Sequence, residues 1–220
     1  ELSELGVLAW SDVHAAQQWA WLYGETDDRV RVALALAVRA LRGGSVCLDL
    51  AATRAEGFID DDGTEIAPGS VLPELTEWVA ALEASPCVSV GTGAGEPRPA
   101  RWVDGLLYLE RYWHDQETVR TVITTLASDP ITLHEDAARQ ALASGWDANP
   151  AAADQNSAVE RSLTQRLSIV AGGPGTGKTT VLNRLIDAIR DVDGDHLIVG
   201  LAAPTGKAAA RMTASLSDPT

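Results

Sequence analysis

The sequence predicts an α/β protein in two parts, a small mixed α/β amino-terminal domain followed by the start of a domain built on a parallel sheet. Three observations carry that prediction. Residues 1–150 hold 24 acidic and 10 basic side chains while residues 151–220 hold 7 of each, so the net charge of −14 belongs wholly to the first part. All seven Trp, all three Tyr and the single Phe also lie before residue 147. In the second part an apolar run at 167–171 leads into a glycine-rich turn and then an amphipathic helix, the pattern of a strand–turn–helix unit.

The first part alternates helices with strands. "SDVHAAQQWAWLYG" has helical apolar spacing with Ser11 as its N-cap, and "DDRVRVALALAVRALRGG" reads as a second helix stopped by Gly43 and Gly44. "SVCLDL" follows as a buried strand, "LPELTEWVAALEAS" as a helix, "PCVSVG" and "LLYL" as strands, and "HDQETVRTVITTLAS" as a helix. The stretch from Ser128 to Ala153 combines one short helix with Pro, Asn and Ala-rich turn material and reads as a linker. The expected division is therefore a domain at 1–128, a linker at 129–153 and the second domain from 154 to 220.

At 45% hydrophobic residues the chain can bury a real core. No apolar run reaches the roughly 18 to 20 residues of a membrane span, and no secretory pattern stands at the front, so a soluble cytoplasmic protein without a membrane partner is expected. Cys47 and Cys87 sit in apolar strand-like runs and read as reduced core thiols, which agrees with the cytoplasm. Some local patterns resemble chemistry without carrying it. "GTGAGEP" has Glu96 where a dinucleotide fingerprint needs its third Gly, and reads as a hairpin loop. "DDDGTE" has Phe58 at the first ligand position of a calcium loop and reads as a solvated acidic turn. His14, His114, His134 and His196 lack metal-ligand spacing and read as surface or capping residues.

Chemistry begins in "LSIVAGGPGTGKTTVLNRLIDAIR". Gly172, Gly177, Lys178 and Thr179 fit a phosphate-binding loop, G-x-x-x-x-G-K-[ST], at every required position, with Gly173, Pro174, Gly175 and Thr176 inside it and Thr180 directly after it. Such a loop must bring backbone N–H groups close around phosphates, and the helix N-terminus beyond it adds partial positive charge. Lys178 would place a compact ammonium between the β- and γ-phosphates, and Thr179 would hold Mg²⁺ by its hydroxyl, so ATP and Mg²⁺ are the expected cofactors. On the inner side of the helix the reading puts Val181, Leu182, Leu185, Ile186 and Ile189.

Seventeen residues before Gly172 stands Gln155, whose amide has the donor and acceptor to read the N6 and N7 edge of adenine. Further on, "LIVGLAAPTGKAAARM" repeats the strand-to-helix geometry, but Leu201 takes the first Gly position and Ala208 replaces the metal-binding hydroxyl. What remains is Pro204, Thr205, Gly206 and Lys207 at a turn, a set suited to one phosphate of an extended polyanion. Lys178 and Lys207 are the only lysines among the chain's 17 basic residues, the other 15 being arginine.

These residues resemble the RecD family, subunits of RecBCD-type helicase–nucleases within the superfamily 1 DNA helicases. Gln155 matches the Q motif, "GGPGTGKTT" motif I and "LAAPTGKAAARM" motif Ia, while "GGSVCLDL" and "LLYLERYW" look like the family's amino-terminal domain. The resemblance implies a RecA-like motor domain beginning at 154, with Gln155 on adenine, Gly172 to Thr180 on ATP and Mg²⁺, and Pro204 to Lys207 on the single-stranded DNA backbone. It implies an exodeoxyribonuclease V alpha subunit that moves 5′ to 3′ in double-strand break repair and homologous recombination. RecB-like and RecC-like subunits and single-stranded or double-stranded-end DNA would be its partners, with the acidic first domain as the docking module and the nuclease centre in a partner subunit.

The stretch to Thr220 contains no Walker B carboxylates, arginine finger or second motor domain, so by itself it is expected not to unwind DNA. Two alternatives stay open on the residues alone: a P-loop NTPase that does not act on DNA, and a non-catalytic interaction subunit that binds nucleotide.

Overall fold

The computed structural model describes residues 2–59, 63–129, 152–193 and 198–217. The chain forms two compact units, residues 1–119 and 120–220.

In the first unit, α1 (Trp10–Tyr23) packs on α2 (Asp28–Arg42). The cap of α1 is Ala9, two residues before the expected Ser11, because the Asp12 carboxylate, and not Ser11, accepts the Ala9 N–H at 2.9 Å and closes the first turn. α2 begins at an Asp27 side chain that accepts the Arg29 N–H at 2.8 Å, and ends at Gly43. Its stripe of Val30, Ala33, Leu34 and Ala37 is buried and forms the centre of the core with Leu50, Trp78, Leu82, Val88 and Leu107.

Four short strands make the sheet of this unit: β1 (Cys47–Asp49), β4 (Val88–Val90), β5 (Ala100–Val103) and β6 (Leu106–Leu109), in the order β1-β6-β5-β4. A separate ribbon pairs β2 (Phe58–Ile59) with β3 (Glu65–Ile66), and α3 (Leu50–Glu56), α4 (Pro68–Val71) and α5 (Leu75–Ala84) lie between the strands in sequence. The mixed α/β class is as predicted. The loop at "GTGAGEP", however, is not a hairpin, because β4 and β5 pair in parallel. Arg101 holds this tight crossover by donating to the carbonyls of Gly91 and Gly93 at 2.7 and 3.0 Å. The hairpin is instead β5–β6, whose Asp104 and Gly105 both have positive φ, 49° and 84°, as a two-residue turn of this kind requires.

The helix α6 (Glu110–Ser128) starts four residues before the predicted segment. Its first residue forms a buried two-pronged ion pair with Arg101, at 2.9 and 2.7 Å. Cys87 is a fully buried free thiol and Cys47 a half-buried one. Burial, with Glu25 nearby, pushes the Cys87 thiol up to about 11. His14 and His114 are exposed, whereas His134, His196 and almost all of the expected linker lie outside the described residues.

The second unit is built on α7 (Ala153–Leu163), α8 (Lys178–Asp193) and α9 (Gly206–Ser217). α7 and α8 share a core of Val159, Leu163, Val181 and Ala188, flanked by Ala158, Val170, Leu185 and Ile189. Leu182 and Ile186, also expected on the inner side, are half-buried outside this cluster. The start of α8 at Lys178 and of α9 at Gly206 are as read from the sequence. The two apolar runs before them are not strands among the described residues. Ile169 is 82% exposed and Ile198 94% exposed, and neither run pairs with a strand among the described residues. A strand exists only through its ladder, so apolar extended segments without a paired neighbour stay unassigned.

Candidate functional site

The turn between the 167–171 run and α8 is shaped by its glycines. Pro174 stands before Gly175 at φ +76°, the order a type II turn asks for, and Gly177 follows at φ +82°. A Cβ on Gly172 would press on the Thr176 hydroxyl, which donates to the Gly173 carbonyl at 3.0 Å. A Cβ on Gly177 would fall well inside contact distance of the Gln155 amide nitrogen. Glycine is thus required at 177 twice over, by backbone conformation and by space.

Around this turn the structure gathers Lys178 and Gln155. The Lys178 ammonium folds back over the loop and donates to the carbonyls of Gly172 and Gly173, at 2.8 and 2.6 Å. The Gln155 amide donates to the Thr176 carbonyl at 3.2 Å. Thr179 and Thr180 are exposed in the first turn of α8. Among the described residues the N–H groups of Gly175 to Thr179 meet no protein acceptor, and the first intrahelical bond runs from Val181 N–H to the Gly177 carbonyl at 3.1 Å. Consecutive unclaimed donors, a helix N-terminus and one ammonium make a site for a compact polyanion. That donor set fits the phosphates of a nucleotide.

The other predicted cluster lies at the start of α9. The Thr205 hydroxyl caps the helix by accepting the Ala208 N–H at 3.3 Å, while its carbonyl accepts the Ala209 N–H at 3.0 Å. Its hydroxyl proton remains available to an outside acceptor. Pro204 to Lys207 are all exposed, and Lys207 makes no ion pair or hydrogen bond among the described residues. Pro204 and Thr205 bend the chain into α9 and Gly206 and Lys207 open that helix, separate in sequence from the glycine-rich loop.

Two residues beside the loop were missed by motif reading. Arg184 of α8 donates to the side-chain carbonyl of Asn156 of α7 at 2.9 Å. The available signal was positional, since Asn156 falls on the stripe of Val159 and Leu163, and Arg184 on that of Val181 and Ala188. A polar residue on each of two facing apolar stripes can be satisfied by the other.

Strand-like run, glycine turn, folded-back lysine and helix define a phosphate-loop protein. Residues 155–220 match the AAA domain family and residues 4–108 match the family described as RecBCD enzyme subunit RecD, N-terminal domain. The RecBCD enzyme subunit RecD of Mycobacterium tuberculosis is 38% identical over 214 residues, which are 96% of this chain and 34% of that protein. Its counterpart in Mycolicibacterium smegmatis is 37% identical over 211 residues, 94% of this chain and 34% of that protein. The ATP-dependent RecD2 DNA helicase of Deinococcus radiodurans is 32% identical over 110 residues, 50% of this chain and 15% of that protein. The chain belongs to the RecD family. It spans about a third of the length of the relatives that match nearly all of it.

Proposed function

We propose that this chain is a portion of an ATP-dependent DNA helicase subunit of a RecBCD-type helicase–nuclease, with 5′ to 3′ movement on single-stranded DNA. The single observation that carries this reading is the glycine turn closed by Lys178 and approached by Gln155. Bound ATP with Mg²⁺ supplies the hydrolysis that drives movement. Residues Gly172 to Thr180 would hold the triphosphate, every one but Pro174 having a backbone N–H to offer, with the Lys178 ammonium available to phosphate oxygens and the Thr179 hydroxyl to the metal. Gln155 reads the adenine edge with its amide.

Pro204, Thr205, Gly206 and Lys207 hold one phosphate of the DNA strand through an exposed ammonium, a hydroxyl and the start of a helix. Residues 1–128 act as an acidic docking module for RecB-like and RecC-like subunits, 129–153 as a linker and 154–220 as the opening of a RecA-like motor domain. The subunit works in the cytoplasm on double-strand break ends during recombination and repair, with the nuclease centre in a partner. Stretches outside 1–220 would supply Walker B, the arginine finger and the second motor domain, so residues 1–220 alone are inactive.

The test is polarity. The full-length protein in its assembled complex, with the partner motor disabled, should unwind a duplex carrying a 5′ single-stranded tail and not one carrying a 3′ tail. Unwinding of the 3′-tailed substrate alone would contradict the proposed direction.

A further inference from the structure

We infer that Asn156 and Arg184 are positioning residues that hold Gln155 in register with the phosphate loop and thereby set nucleobase preference. This inference rests on the proposed role of Gln155 as adenine reader.

The physical problem lies in the first turn of α7. Gln155 occupies that turn, yet the N-cap is Ala152, which offers no side-chain acceptor to the turn's N–H groups. A helix start without such a cap frays readily. The core shared by α7 and α8 begins at Ala158 and Val159 and runs towards Leu163, so it does not include Gln155, and of the turn's start only Ala152 is buried. Apolar contact also fixes separation better than rotation, because it is not directional. A base-reading amide needs its rotation fixed, since a hydrogen bond weakens steeply once its angle departs from linear.

The Asn156–Arg184 bond meets this need. At 2.9 Å it joins the residue beside Gln155 to the helix that the phosphate loop feeds, six residues after Lys178. Its donor is a guanidinium, so it is stronger than a neutral pair. Gln155 itself leans on the Thr176 carbonyl, and the two bonds together tie the same turn to the loop and to the helix behind it. Register between the base reader and the phosphate binder then follows from side chains that touch neither base nor phosphate.

The experiment measures dissociation constants of the full-length protein for ATP, GTP and inorganic tripolyphosphate without DNA, together with Tm. Gln155→Ala serves as the reference for losing the base reader. Arg184→Ala and Asn156→Leu should each reduce the ATP-over-GTP preference by about tenfold, the scale of one charge-assisted hydrogen bond, with tripolyphosphate affinity unchanged. Asn156→Asp, which keeps an acceptor for the guanidinium, should restore the preference. If Arg184→Ala does not fold, the Asn156 pair of variants carries the test. Preference lost in Gln155→Ala but retained in Asn156→Leu would overturn the positioning role and leave the adenine reading standing. Preference retained in Gln155→Ala would remove the adenine reading and this inference with it. A fall in tripolyphosphate affinity that matches the fall for ATP would also overturn it, since the pair would then be supporting the whole fold.

Discussion

The side-chain amide of Gln155 donates to the carbonyl of Thr176 at 3.2 Å, so the first turn of α7 rests on a loop 21 residues further along the chain. The approach is possible because Gly177 has no Cβ, and the same residue holds φ +82°. Space and conformation at Gly177 are separable by mutation.

Gly177→Ala should lower stability by about 1–2 kcal/mol from the left-handed backbone alone, with a further loss from the contact with Gln155. Urea denaturation checks this in two backgrounds. In Gln155→Ala the contact part of the loss should disappear while the backbone part persists. Equal losses in both backgrounds would show that Gln155 does not crowd residue 177.

Lys207 has no partner among the described residues and stands in the first turn of α9, beside an exposed Thr205 whose hydroxyl proton is uncommitted. Lys207→Ala should weaken single-stranded DNA binding by the full-length protein equally for all sequences. It should also reduce the slope of log affinity against log salt by roughly 0.7, the value for one phosphate contact on a single strand. An unchanged salt slope would remove Lys207 from the DNA contact.

Asp12 offers a pH test in the first unit. Burial alone would raise its carboxyl, but Arg42, at 2.8 and 2.7 Å, and the Ala9 N–H hold it below the usual carboxylate value. A carboxyl depressed in the folded state contributes stability above its unfolded pKa, about 3.9, and that contribution is lost as pH falls through the folded value. Asp12→Asn should therefore destabilise most near pH 7, and its deficit in urea midpoint should shrink as the pH drops below about 4. A deficit that stays constant down to pH 2 would mean that charge is not what Arg42 recognises.

Local rules made the phosphate loop legible, because each required residue type answers a demand met within a few positions. Gly175 and Gly177 take positive φ, and Lys178 opens its helix, as the spacing asks. Pairing was less legible. The Asp104–Gly105 turn is a two-residue hairpin signal that motif reading passed over, and β4 pairs with β5 in parallel through a loop bonded to Arg101, whose buried partner Glu110 lies nine residues away. The runs at 167–171 and 198–203 have the apolar composition of strands, but composition cannot supply a ladder. Gln155 could be named from its motif, whereas its contact with the loop across 21 residues is a tertiary fact. Asn156 and Arg184 escaped because a polar residue on an apolar stripe reads as an exception until its partner is known.

The most direct test of the central claim is ATP turnover by the full-length protein, with and without single-stranded DNA, in wild type and Lys178→Gln. Glutamine removes the ammonium that folds over the loop at 2.8 and 2.6 Å while retaining a polar side chain. Wild-type turnover should rise when single-stranded DNA is added, and Lys178→Gln should fall to background under both conditions with its fold intact. DNA-stimulated turnover that survives Lys178→Gln would contradict the account, because the phosphate loop would then not be the engine.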